Sequence, residues 1–79
     1  QIFDAVLIGK WLERLEWRRA KLVIHSAEGW VSANALDNSL LDWQISEWRR
    51  DSRMELIFSE PQAVEVLQEG LAGCRVQAN

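Results

Sequence analysis

The run KLVIHS, Lys21 to Ser26, constrains the fold more than any other stretch of the chain. It is short, rich in β-branched and apolar residues and without polar alternation, the pattern of a strand covered on both faces. Strands of that kind belong to parallel sheets with helices packed on each side, so the expectation is an α/β domain whose consecutive strands are joined by right-handed crossovers. The flanking segments read accordingly. Apolar residues at Phe3, Leu7, Ile8, Trp11, Leu12 and Leu15 recur at helical spacing up to Trp17, with Lys10, Glu13, Arg14 and Glu16 on the other side. After KLVIHS comes a small-residue turn, and then Leu36, Leu40, Leu41, Trp43, Ile45 and Trp48 form a wide apolar stripe, read as a second helix with Ser32, Asn34 or Asp37 as its N-cap.

RMELIF, residues 53–58, is the next predicted strand. It stops at Ser59, which with Pro61 and Gln62 resembles a capping box opening a helix through Ala63, Val64, Val66, Leu67 and Leu71. Gly70 and Gly73 end that helix, and CRVQ, residues 74–77, reads as a last short strand. The expected architecture is a small sheet with parallel strands and alternating covering helices. Two or three strands make a thin sheet, so the first strand or strands are expected to be missing or supplied by a neighbour.

A chain of 79 residues is expected to form one small domain over residues 1–79, cut from something longer, since it starts at Gln1. A core of that size supplies only about 3–5 kcal/mol by itself, which makes help from another protein or a second copy an expectation. Hydrophobic residues make up 48% and charged residues 27%, the balance of an ordinary globule, and no run approaches the roughly 20 apolar residues of a membrane span. The formal charge of −3 argues against a nucleic-acid groove, which needs clustered Lys and Arg. One cysteine, Cys74, forms no internal disulfide, so a cytoplasmic location is the default.

No catalytic set stands out. With His25 as the only histidine, neither a Cys/His zinc cage nor a Ser-His-Asp triad with a spare histidine can be assembled, and no metal or cofactor is expected. A His25–Cys74 pair is conceivable, yet nothing in the sequence signals the lowered pKa a nucleophilic thiol needs. The stretch 28–35 has one glycine and lacks both the Walker lysine and the dinucleotide glycine spacing. Of the five tryptophans, Trp11, Trp43 and Trp48 fit helix stripes and read as core. Trp17 lies at a helix end, and Trp30 lies in the small-residue turn, where contact with a partner and simple capping of the core are equally good readings.

With LVIHSAEGWVSANAL in view, residues 22 to 71 resemble the STAS domain family of anti-sigma-factor antagonists. In that family a buried strand leads through a small-residue stretch into an Asp-Ser-Ser-Gly-Leu turn that opens a long helix. Here Ser26 and Ala27 match the family's Ser-Gly, Trp30 and Val31 its two apolar residues, and Ser32-Ala33-Asn34-Ala35-Leu36 its signature turn. The family's acidic residue is Ser32 here and its serines are Ala33 and Asn34, so its phosphate acceptor is absent from the matching position. What the resemblance implies is a non-enzymatic regulatory module. Its docking surface would be the strand-to-helix turn and the helix behind it, with Trp30, Ser32, Ala33, Asn34, Asp37, Asn38 and Leu41 meeting another protein or a second copy. A ferredoxin-like assembly domain of a secretion or pilus machine, with an antiparallel sheet, is the second interaction reading. A subunit completing an enzyme active site with another chain, through His25 or Cys74, is the reading from a different class, and a structural piece of a larger protein is the last.

Overall fold

The computed structural model describes residues 2–76. The chain runs α1 (Ala5–Glu13), β1 (Trp17–Ser26), β2 (Gly29–Leu36), β3 (Gln44–Ile45), β4 (Arg53–Phe58) and α2 (Val64–Ala72). The four strands form one sheet in the order β3-β2-β1-β4, and every neighbouring pair is antiparallel. This corrects the expected parallel sheet. Read over its full ten residues, WRRAKLVIHS does alternate: Ala20, Leu22, Ile24 and Ser26 are buried, while Arg19 and Lys21 are exposed and Val23 and His25 half-buried. A bulge between Trp17 and Arg19 inserts one residue, which is why Trp17 and Ala20 point to the same side despite their odd spacing.

The small-residue stretch is a hairpin, not a strand-to-helix turn. Ala27 and Glu28 form a two-residue connection between Ser26 and Gly29, and a loop that short can only join antiparallel strands. The Ser26 hydroxyl donates to the Gly29 carbonyl at 2.7 Å and accepts from the Glu28 N–H, and Gly29 takes φ 113, where a side chain would be strained. GWVSANAL then alternates as a strand should, with Ala33 and Ala35 buried and Asn34 and Leu36 exposed.

The helix expected from Leu36 to Trp48 is absent. Asp37 and Asn38 both have positive φ, 50 and 58, and the Ser39 N–H returns to the Leu36 carbonyl, which is the pattern of a type I′ turn. Short polar side chains enter this left-handed region more readily than others, and here Asn38 is held in it from outside. Its side chain accepts from the Trp17 N–H at 2.9 Å and donates to the Leu15 carbonyl at 2.7 Å. Beyond the turn the chain is irregular apart from β3. Ser32, Asn34 and Asp37 therefore cap no helix, and residues 32–36, matched above to the STAS signature turn, are the second half of β2.

Other expectations hold in part. RMELIF is β4 with the predicted bounds. The first helix is shorter than predicted, ending at Glu13, so Trp17 opens β1, where its indole N–H is satisfied by the Leu12 carbonyl at 3.1 Å. Ser59 does not cap α2, whose N-cap is Ala63. CRVQ supplies only a single bridge, Arg75 to Phe3, and its Gln77 lies outside the described residues.

Ile8 and Leu12 of α1, Leu22 and Ile24 of β1, Ala33 and Ala35 of β2, Phe3, Trp17, Ala20 and Cys74 make up the core, with Trp11, Leu41, Trp43, Met54, Leu56, Phe58 and Leu71 packed around it. Both helices thus lie on the face of the sheet that carries Leu22 and Ile24. Helices on one face of an antiparallel sheet match the sheet of the ferredoxin-like reading, but the element order here, with a helix before and after four strands, is not that motif's βαββαβ.

Candidate interaction surface

Among the described residues no helix lies over the opposite face of the sheet. Cross-strand partners share a face, so the pairing register places Arg19 with Leu36 and Ile57, Lys21 with Asn34 and Glu55, Val23 with Ser32 and Arg53, and His25 with Trp30 on this outer side. Arg19, Lys21 and Arg53 stand there with Glu55, while Asp42 joins Lys21, Ser32, Asn34 and Gln44 around a shallow pocket on the same face and Asp51 pairs with Arg53 at 3.2 Å. Acidic residues elsewhere lie on the helices, turns and loops.

One end of this face is aromatic. The His25 and Trp30 rings are stacked, 4.7 Å between centroids and 4° from parallel. Residues 46–52 cross this end on their way from β3 to β4, fixed by the Ser46 N–H to the Trp30 carbonyl and by the His25 N–H to the Ser52 hydroxyl at 3.1 Å. On the crossing, Trp48 anchors its indole N–H on the Asp51 carbonyl at 2.9 Å and lies under the Arg53 guanidinium, 4.7 Å from the ring centroid, with Arg50 at 5.8 Å. A cavity of about 380 Å³ opens between these parts, lined by Phe3, His25, Trp30, Arg50, Asp51 and Ser52.

The residues expected to form one docking patch are divided. Trp30, Ser32 and Asn34 do share the outer face. Ala33 points the other way and is buried. Asp37 is in the turn at the far end of β2, paired with Arg18 at 3.4 Å in an exposed position. Asn38 is committed to the Trp17 and Leu15 backbone, and Leu41 packs against the core beside α1. Sequence reasoning misses Arg19, Lys21 and His25 as partners of Trp30 on this face, because the apolar run KLVI reads as a strand covered on both faces; the polar residues just before Leu22 are the available signal. Trp48, which by spacing fits a helix stripe, instead makes the arginine platform.

His25 and Cys74 are not brought together as a catalytic pair. His25 is on the outer face, stacked on Trp30, whereas Cys74 is buried with its thiol directed to the Gly70 carbonyl at 3.4 Å. Burial pushes the Cys74 thiol above its ordinary value of 9.0, and the Asp4 carboxylate adds to the effect, so at neutral pH it is a protonated packing group rather than a thiolate. Among the described residues no three His, Cys, Asp or Glu side chains are grouped to hold a metal, and no helix is long and apolar enough to cross a membrane. No family model, curated protein or solved structure matches the chain.

Proposed function

We propose that this chain is a non-enzymatic interaction module and that the uncovered sheet face binds a protein partner through an acidic segment. The observation that carries the reading is the outer face itself: an uncovered sheet surface with exposed Arg19 and Lys21, ending in the His25–Trp30 stack and the cavity beside Arg50. A stacked aromatic pair supplies area at low entropic cost, and cations at its rim steer a complementary partner and set its register. Ser32 and Asn34, between Trp30 and the turn, present hydrogen-bonding groups along the same face. The docking element is thus β2 together with β1, in place of the turn and helix expected from the sequence.

Titration with a Glu/Asp-rich peptide, followed by amide chemical shifts, tests this. Perturbations should concentrate on Arg19, Lys21, His25, Trp30 and Asn34 and weaken as salt is raised. Trp30→Glu should remove them while the dispersed spectrum of the folded chain persists. Tighter binding of a single-stranded oligonucleotide than of the peptide would turn the reading towards nucleic acid, and a response confined to the helices would defeat it.

A further inference from the structure

Strand β4 leaves one edge of the sheet open, and the direction of its backbone groups follows from the hairpin. Ser26 and Gly29 close a two-residue loop, so they form a hydrogen-bonded pair, and alternation turns the amides of Ala20, Leu22 and Ile24 towards β2. Those of Lys21 and Val23 then face β4, as do the groups of their partners Glu55 and Arg53 face β1. The His25 N–H reaching Ser52 and the Ser59 N–H reaching the Glu16 carbonyl agree with that phase. Met54, Leu56 and Phe58 consequently direct their N–H and C=O groups outward, away from the sheet. Such an edge is a template for another strand.

Beside it lies an apolar groove of about 310 Å³ between β4 and α2, with Met54, Leu56 and Phe58 on one wall and Leu67 and Leu71 on the other. Helix α2 buries none of its own residues, and its Val64 and Val66 are 60% and 58% exposed. An open edge, an open groove and an uncovered helix thus occur together on one side of the molecule.

We infer that this side is a twofold interface with a second copy of the chain, formed by antiparallel pairing of β4 with β4. A twofold axis normal to the sheet keeps each face on its own side, so a residue meets a partner of the same parity, which restricts the register. Two registers overlap the strand most fully. One centres on Glu55 and sets it directly opposite the partner's Glu55, a like-charge pair that destabilises the ladder. The other centres on Leu56 and is free of that clash. There Leu56 exchanges both backbone hydrogen bonds with the partner's Leu56, and Met54 faces the partner's Phe58 on the groove side. On the outer side, Glu55 faces the partner's Ile57. The helices then flank the axis over a continuous apolar row, and the two outer faces join into one eight-stranded surface.

Ile57 gives the test, because it is 56% exposed and its replacement leaves the core untouched. In the Leu56-centred register, Ile57→Glu sets carboxylates opposite Glu55 twice, while Ile57→Lys sets ammonium groups there. Light scattering over a dilution series should show a dimer for the wild-type chain, a dissociation constant raised about tenfold by Ile57→Glu, and one lowered by Ile57→Lys. Tightening by Ile57→Glu would instead indicate the register that sets Ile57 opposite Arg53 and would overturn this one. Equal weakening by both variants, or a wild-type chain that stays monomeric at every concentration, as expected if the edge serves an extended peptide, would overturn the interface itself.

Discussion

The two helices are each nine residues long and differ in how far the chain completes them. Helix α1 begins at Asp4, whose carboxylate accepts from the N–H groups of Val6 and Leu7 at 2.9 and 3.1 Å, and it buries Ile8 and Leu12 against the sheet. Helix α2 begins at Ala63 without a side-chain cap and buries nothing fully. A helix draws most of its stability from tertiary packing rather than from propensity, so α1 is held by this chain and α2 only partly so. The difference separates what a small core secures from what it leaves to be covered.

The largest effect that tests this comparison is truncation of one leucine in each helix. Leu12→Ala removes a fully buried side chain and should cost about 2–5 kcal/mol in denaturant unfolding, whereas Leu67→Ala, half-buried at the groove, should cost about 1 kcal/mol when measured on dilute protein. Equal losses would end the distinction between the helices.

A pair of glycines sharpens it. A Cβ on Gly9 of α1 meets open space, so Gly9→Ala should stabilise by roughly 0.5–1 kcal/mol through helix propensity. A Cβ on Gly70 of α2 would run into the Trp11 indole, so Gly70→Ala should destabilise by about 1–3 kcal/mol as the helices are pushed apart. Trp11→Phe in the same chain should relieve part of that loss, and thermal unfolding of the three variants decides the matter.

What could be read in the sequence follows the same division between local and tertiary causes. RMELIF was legible because it is short, β-rich and bounded by turn residues, and both helices were legible in existence from their apolar spacing. The hairpin was not, because its two-residue turn lies inside a run of small residues, where the alternation of Ala33 and Ala35 with Ser32 and Asn34 hardly registers as hydrophobic period. The apolar stripe from Leu36 to Trp48 has true helical spacing, yet Asn38 is fixed at positive φ by backbone groups of Trp17 and Leu15, contacts more than twenty residues away that no window reveals. The candidate surface was half legible for that reason: period two puts Trp30, Ser32 and Asn34 together once β2 is known to be a strand, but Arg19 and Lys21 join them only through the register with β1.

The caps offer a smaller contrast. Asp4→Ala should cost about 1 kcal/mol, since two helix-start N–H groups lose their acceptor. Ala63 already has the extended backbone of an N-cap, φ −70 and ψ 126, so Ala63→Asp should add about 0.5 kcal/mol, measured by the same unfolding curves. A gain at Ala63 as large as the loss at Asp4 would show α2 to be limited by its cap alone, and its lack of burial would then matter less.

The smallest expected effect lies where the two helices are tied together. The Asp4 N–H donates to the Cys74 carbonyl at 2.7 Å, so the cap of α1 and the end of α2 share one clasp with a buried thiol inside it. In the folded chain that thiol holds its proton to higher pH than in the unfolded chain, where the ordinary value near 9.0 applies. Below 9.0 both states keep the proton and stability is independent of this group. Above it the unfolded state releases the proton first, so it binds fewer protons than the native state and stability falls as pH rises through the folded value. Melting temperatures at neutral and at alkaline pH should therefore decline more steeply for the wild-type chain than for Cys74→Ala. Parallel declines would mean that the clasp opens before the thiol ionises, which would place the end of α2 among the loosely held parts of the molecule and widen its difference from α1.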